Sequence, residues 1–153
     1  MIVATGRSLA LLLIASSTAA AADPCPLRAG TDVTVSVHLS APTGALVAGV
    51  TLVVDHPDEK IGLLGEGVDV PKTSISASPD GAVASVNDLG TSVRVVLARA
   101  TPLPIDRPLL TLHFQGCEGA KAPEAREFSC TVSDAADPAT NRVRGLGCTV
   151  TIP

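Results

Sequence analysis

The sequence predicts an all-β protein of about nine short strands, arranged as a jelly-roll sandwich of two sheets. Apolar and polar residues alternate with a period of two along most of the chain after its N-terminal segment. Turn-forming residues recur about every 8–15 residues. No segment of that part carries the 3.6-residue period of an amphipathic helix. Together these patterns favour a sandwich over an α/β domain.

The first predicted strands show the pattern clearly. Residues 32–39 alternate valine or leucine with polar side chains, as a half-buried strand does. A turn at residues 41–44 leads to a second strand, 46–54, which is apolar on both faces and therefore predicted to be central. Shorter strands are predicted at residues 60–64 and 73–77.

The later strands repeat the alternation. An extended connector at residues 101–104 interrupts them, because each proline favours extended backbone in the residue before it. The remaining predicted strands are residues 83–86, 92–98, 109–114, 127–132 and 147–152.

The N-terminal segment has the layout of a secretory signal peptide. Arg7 precedes an apolar stretch at residues 8–14, and a run of small residues ends with three alanines at positions 20–22. The apolar stretch is shorter than the roughly 20 residues that span a bilayer. We therefore predict a signal peptide at residues 1–22, a single mature domain at 23–153, and a secreted or periplasmic location.

Composition excludes several classes of partner. The formal net charge is −4, and removal of Arg7 makes the mature chain more acidic by one unit. Without basic clusters, nucleic acid and anionic lipid are not expected partners. No second apolar stretch is long enough to cross a membrane, so no span is predicted in the mature chain.

All four cysteines lie in the predicted mature domain: Cys25, Cys117, Cys130 and Cys148. An even number of cysteines in an exported chain predicts two disulfide bonds. Zinc binding is the alternative, but no two cysteines have the close spacing of zinc ligands.

A set of segments in fixed order carries a family resemblance. The set comprises residues 33–37, 41–44, 48–57, 93–100, 109–114, 132–138 and 149–152. In order and spacing they resemble the cohesin modules of cellulosomes and their relatives in the carbohydrate-binding-module superfamily. Two features depart from the family: Val50 and His56 stand where it has aromatic residues, and its cellulosomal modules are poor in cysteine.

The resemblance implies a nine-stranded jelly roll whose first and last strands lie side by side. It also implies binding without catalysis, either to a dockerin-like protein or to carbohydrate in polysaccharide catabolism. The chain contains two phenylalanines and no tyrosine or tryptophan. This composition favours the protein partner, because aromatic faces supply much of the apolar contact with sugar rings.

Two disulfide pairings remain open. Cys130 and Cys148 share core parity with their neighbours, so a bond between them would clamp the two sheets and leave Cys25 to pair with Cys117. The alternative joins Cys25 to Cys148 and Cys117 to Cys130, because the terminal strands are expected to be neighbours. We favour the first pairing.

Catalytic and metal motifs are weak. The histidines His38 and His113 have the outward parity of their strands, and no nucleophile elbow or paired-histidine motif accompanies them or His56. Asp134, Asp137 and Asn141 are weak calcium candidates, since Ca²⁺ needs six to eight oxygen ligands. We expect no enzyme activity and no resident cofactor.

The sequence thus predicts an exported binding module that meets a protein across one flat sheet face. The candidate surface residues, chosen by parity alone, are Thr51, Arg94, Arg99 and His113. Two alternatives remain: a carbohydrate-binding module, and a structural subunit of an envelope assembly that offers an exposed edge strand.

Overall fold

The computed structural model describes residues 25–77 and 81–153. The predicted signal peptide and its cleavage site lie outside these residues. The described part contains nine strands and two short 3₁₀ turns, at Lys72–Ser74 and Ala125–Glu127. The strands are β1 (Leu27–Ser40), β2 (Gly49–Asp55), β3 (Ile61–Gly62), β4 (Ile75–Ala77), β5 (Val83–Asp88), β6 (Ser92–Ala98), β7 (Leu110–Cys117), β8 (Ser129–Ala136) and β9 (Gly147–Thr151).

The nine strands form two antiparallel sheets that pack face to face, as the alternation predicted. The five-stranded sheet has the order β3-β7-β1-β9, and β4 also pairs with β7. The four-stranded sheet has the order β5-β6-β2-β8. The first and last strands are neighbours, with Val37 opposite Val150 in the ladder between β1 and β9.

Strand β1 begins five residues earlier than the alternation predicts. Leu27 pairs with Cys117 and Asp32 with Gln115, so the register shifts between them. Gly30 lies in that interval with a φ of 81°, a left-handed conformation that glycine adopts without steric cost. The irregularity breaks the period of two, which is why the pattern hides the first part of the strand.

The core is made of the inward residues of the central strands. Val35, Val37, Leu52 and Leu97 are fully buried, and each such side chain contributes about 1.5–3 kcal/mol of transfer free energy. Phe114 packs against Phe128, with ring centroids 6.2 Å apart. The chain therefore folds around a Val/Leu interior with little aromatic content.

Two disulfides fasten the sandwich, as the cysteine count predicted. Cys25 bonds to Cys117, which ties the residues before β1 to the end of β7, with Cα atoms 5.6 Å apart. Cys130 on β8 bonds to Cys148 on β9, so this bond joins one sheet to the other, with Cα atoms 5.5 Å apart. The structure thus contains the first of the two pairings considered above, and the alternative pairing does not occur in it.

In the described residues, no helix is both long enough and apolar enough to cross a bilayer.

Candidate interaction surface

The outer face of the four-stranded sheet, which we call the apolar face, carries small and β-branched side chains. Strand pairing arranges the face in rows across the sheet. The rows are Val83–Ala98–Gly49–Ala136, Ser85–Val96–Thr51–Asp134, Asn87–Arg94–Val53–Thr131 and Ser92–Asp55–Ser129. Most side chains are short, so the surface is flat. Its charged residues are Arg94 on β6, Asp55 at the end of β2 and Asp134 on the edge strand β8.

The apolar character of this face is exposed to solvent. Val83 is 73% exposed and Val96 is 44% exposed. Single exposed valines are ordinary on protein surfaces. Here Val83 and Val96 share one flat sheet face with Val53, which lies between Arg94 and Thr131 in its row. The outer face of the four-stranded sheet therefore exposes an apolar patch of valines among polar side chains.

Two of the four predicted surface residues belong to this face. Thr51 lies at its centre, and its carbonyl oxygen accepts a hydrogen bond from the Ser133 hydroxyl at 3.2 Å. Arg94 is exposed on β6, opposite Val53. Arg99 is half-buried just beyond the end of β6, where its backbone N–H donates to the carbonyl of Ala48 at 2.8 Å.

His113 lies on the other sheet, opposite Thr34 in the ladder between β1 and β7. The four candidates therefore do not share one face, and the prediction that they do is wrong. The reason is physical: alternation within a strand shows which side chains point outward, but not which sheet the strand joins. Sheet membership depends on pairings between residues far apart in sequence.

The outer face of the five-stranded sheet, which we call the hydroxyl face, is polar. His38 lies within hydrogen-bond distance of the Thr151 hydroxyl, 3.1 Å from its Nε2 atom. The His113 Nε2 atom has the same relationship with the Ser76 hydroxyl, at 3.2 Å. The other outward side chains include Asp32, Thr34, Ser36, Ser40, Thr111, Gln115 and Thr149. The apolar face differs from this one mainly in its three valines, Val53, Val83 and Val96.

The weak calcium candidates use their oxygens for other contacts. Both oxygens of Asp137 accept hydrogen bonds within the loop: one from the backbone of Ala139 and of Asn141, at 2.9 and 2.8 Å, and the other from the Asn141 side chain, at 3.0 Å. Asp134 pairs with Arg142, with 3.5 Å between the charged atoms. The loop is closed by its own hydrogen bonds, as aspartate and asparagine turns are.

These hydrogen bonds also affect titration. The Asn141 side chain and the backbone amides of Asn141 and Ala139 favour the ionised Asp137 carboxylate, and they lower its pKa below the ordinary value. Within residues 25–77 and 81–153, no group of three or more His, Cys, Asp or Glu side chains is arranged to hold a metal ion.

His56 is buried, and the sequence patterns do not predict that burial. It is only 6% exposed, and its two ring nitrogens have no hydrogen-bond partner among the described residues. Burial lowers the pKa of the imidazole, and the carboxylates of Asp88, Asp58, Asp55 and Glu59 oppose this shift. A neutral imidazole buried in this way acts as a packing group.

His56 follows the last residue of β2, so no parity rule applies to it. Its backbone N–H donates to the carbonyl of Thr91 at 3.1 Å, just before β6. Pro57 restricts the backbone conformation of His56, but a following proline does not indicate that the side chain before it is buried.

Two open grooves flank the sandwich in the described part of the chain. One, of about 260 Å³, lies between β8 and residues 142–146 and includes Asp134 and Arg142. The other, of about 310 Å³, lies beside the first disulfide and is lined by Arg28, Lys60 and Lys121, among others. In the second groove Lys60 already pairs with Glu127.

Comparison with known proteins finds no family model and no curated protein that matches the chain.

Proposed function

We propose that this protein is an exported, non-catalytic binding module that meets a protein partner across the apolar face. The observation that supports this most directly is the exposure of Val83 and Val96 on a flat sheet surface. Covering such a surface gains about 25 cal/mol for each Å² of apolar area that is removed from water. The sheet behind it is held by the core and by the Cys130–Cys148 bond, so little ordering entropy opposes binding.

The side chains of the apolar face indicate what kind of partner it fits. Gly49, Ala98 and Ser85 let a partner approach the sheet closely, while the valines supply apolar contact. Arg94 carries an exposed positive charge within the face, which would help to fix the orientation of the partner. A rigid surface such as one side of a helix matches this pattern. The resemblance to cohesin modules points to the same class, a dockerin-like partner.

The disulfides support export. Two bonded cysteine pairs are consistent with an oxidising, extracellular environment. The signal-like segment at residues 1–22 accounts for how the chain would reach it. Periplasmic and secreted locations both satisfy these observations.

The experiment is affinity capture with face-specific variants. The wild-type chain, Val96→Arg and a control, Thr149→Arg, are immobilised and exposed to the extracellular proteins of the source organism. Thr149 is exposed on the hydroxyl face, so both changes add the same charge to opposite surfaces. Circular dichroism and thermal melting establish that all three chains fold.

We expect at least one protein to be retained by the wild type and by Thr149→Arg but not by Val96→Arg. Equal retention by all three chains, or loss through Thr149→Arg alone, contradicts binding at the apolar face.

A second candidate function follows from the hydroxyl face. Rows of threonine, serine and histidine offer donors and acceptors to a polysaccharide, although they offer no aromatic ring. Retention on insoluble polysaccharide that is weakened by Thr149→Arg, but not by Val96→Arg, would establish this carbohydrate-binding alternative.

A further inference from the structure

Strand β5 has an open backbone edge. Among the described residues it pairs along its length with β6 alone, and a single bridge joins Asp88 to Gly67. The Leu89 N–H donates to the Ser92 carbonyl at 2.8 Å, so Leu89 directs its backbone groups toward the strand β6 side. Alternate residues of an antiparallel pair direct their backbone groups toward the neighbouring strand or away from it. The N–H and C=O groups of Ala84 and Val86 therefore point outward.

The bridge at the end of β5 agrees with this alternation of backbone direction. The Asp88 N–H points to the same open side as that of Val86, and it donates to the Gly67 carbonyl at 2.7 Å. The outward groups of Ala84 and Val86 have no backbone partner among the described residues. They form a short template for one more strand.

The chemistry of this edge is unusual for an exposed strand. Proteins commonly protect such edges with lysine, proline or an inward charge. The one charge of β5 is Asp88 at its end, where Gly67 already bridges the edge. Residues Val83 to Asn87 carry no charge, and Val83 is 73% exposed. On the opposite side of the sandwich, the Cys130–Cys148 bond joins the two edge strands, and the Val143 N–H donates to the Ala135 carbonyl at 2.9 Å. That side is protected, whereas Ala84 and Val86 of β5 have no backbone partner among residues 25–77 and 81–153.

We infer that β5 pairs with β5 of a second copy of this chain, antiparallel and about a two-fold axis at Ser85. Ala84 then exchanges hydrogen bonds with the partner subunit's Val86, and Val86 with the partner subunit's Ala84. The segment suits a second copy because it is uncharged, so two identical edges meet without repulsion. A two-fold interface requires this self-complementarity.

The paired sheets form one continuous eight-stranded sheet with an apolar face on each half. Self-association of this kind would make the assembly bivalent for any partner of that face. The inference stands on the open edge and not on the proposed function, because the chain can dimerise whether or not the apolar face binds a protein.

Sedimentation velocity over a concentration series tests the pairing. The wild type is compared with Ser85→Lys, which places two like charges at the axis, and with Thr131→Lys as control. Ser85 and Thr131 are both exposed on edge strands of the same sheet, so their substitution leaves the core intact. We expect a monomer–dimer equilibrium for the wild type and Thr131→Lys. We expect dimerisation to weaken about tenfold or more in Ser85→Lys, since like charges directly opposite destabilise a strand pair.

A wild type that stays monomeric at millimolar concentration, or a Ser85→Lys chain that dimerises as the wild type does, overturns the inference. Amide hydrogen exchange supplies a second measurement on the unmodified chain. The amides of Ala84 and Val86 should become more protected as concentration rises, while those of β8 should not. A dimer that forms without such protection uses another surface and also overturns the inference.

Discussion

The ring of His56 lies against the ring of Phe114, with centroids 5.1 Å apart and planes inclined at 55°. Phe114 is fully buried and also packs against Phe128, so the three rings form one cluster in the core. An imidazole thus completes a cluster in a chain that has only two phenylalanines and no tyrosine or tryptophan.

The stability of the protein should fall in acid because of His56. Its pKa is lowered by burial in the folded state, so the unfolded chain binds the proton more readily. The contribution of His56 is fully present above the unfolded pKa of about 6.5, and it is lost as the pH falls toward the lower folded pKa. Urea unfolding of the wild type and His56→Leu between about pH 8 and pH 5 measures this effect.

His56→Leu should unfold with a shallower dependence on pH than the wild type. At neutral pH it should be more stable by about 1 kcal/mol, because it removes two buried nitrogens that lack partners. His38→Leu is the control, since His38 lies on the hydroxyl face. An unchanged pH dependence in His56→Leu would contradict this account.

Phe114→Ala should lower the free energy of unfolding by about 4 kcal/mol, as expected when a large aromatic side chain is deleted from a core. Phe114 is fully buried, whereas Val83 is 73% exposed. Val83→Ala is therefore the control, with an expected change within about 0.5 kcal/mol. Urea unfolding by circular dichroism measures both. Similar losses from the two variants would show that the core does not centre on Phe114.

The two disulfides should stabilise the fold unequally. The Cys25–Cys117 bond spans 92 residues and the Cys130–Cys148 bond spans 18. In the chain-entropy model these loops correspond to about 4.5 and about 3 kcal/mol respectively. Urea unfolding of the paired variants Cys25→Ala/Cys117→Ala and Cys130→Ala/Cys148→Ala should give losses in that order. Peptide mapping without reduction checks the pairing. The reverse order of losses would contradict the chain-entropy explanation.

Asp137 should titrate below the ordinary range of an aspartate. Its pKa is lowered by hydrogen bonds from Asn141 and Ala139, so its contribution to stability is present above an unfolded pKa of about 4 and is lost as the pH falls through the lower folded pKa. An NMR titration of the carboxyl carbon measures the pKa directly. Asn141→Ala should raise it toward the ordinary value, while Arg142→Ala should leave it unchanged. Equal shifts in both variants would mean that charge, not hydrogen bonding, sets this pKa.

Calcium should not raise the Tm, because the loop already engages both Asp137 oxygens and the candidates are too few for the six to eight oxygen ligands of Ca²⁺. Both Asp137 oxygens accept hydrogen bonds, and Asp134 pairs with Arg142. Thermal melting with Ca²⁺ or with a chelator measures this. A rise in Tm that Asp137→Ala abolishes would establish a calcium site and reverse the interpretation.

The regular part of the fold could be predicted from sequence because it follows from local periodicity. Strand β6 has the predicted bounds, since every inward residue is valine or leucine and no glycine interrupts the pattern. The start of β1 could not be predicted, because the irregularity at Gly30 ends the alternation. Strand β8 begins two residues later than predicted, because Glu124 and Glu127 form a capping box that holds residues 125–127 in a 3₁₀ turn.

The site was harder to predict because it depends on contacts between distant segments. Parity placed Thr51 and His113 on outward faces but could not place them on different sheets. The apolar face arises where Val83, Val96 and Val53 from three strands come side by side. No one segment of the sequence displays that arrangement.

Site-specific photo-crosslinking tests the central claim most directly. A benzophenone side chain is placed at Val96 on the apolar face, or at Thr149 on the hydroxyl face, and the chain is irradiated with extracellular proteins of the source organism. The account predicts a defined crosslinked species from position 96 and none from position 149. Crosslinks from position 149 alone, or the same species from both, would contradict binding of a protein partner at the apolar face.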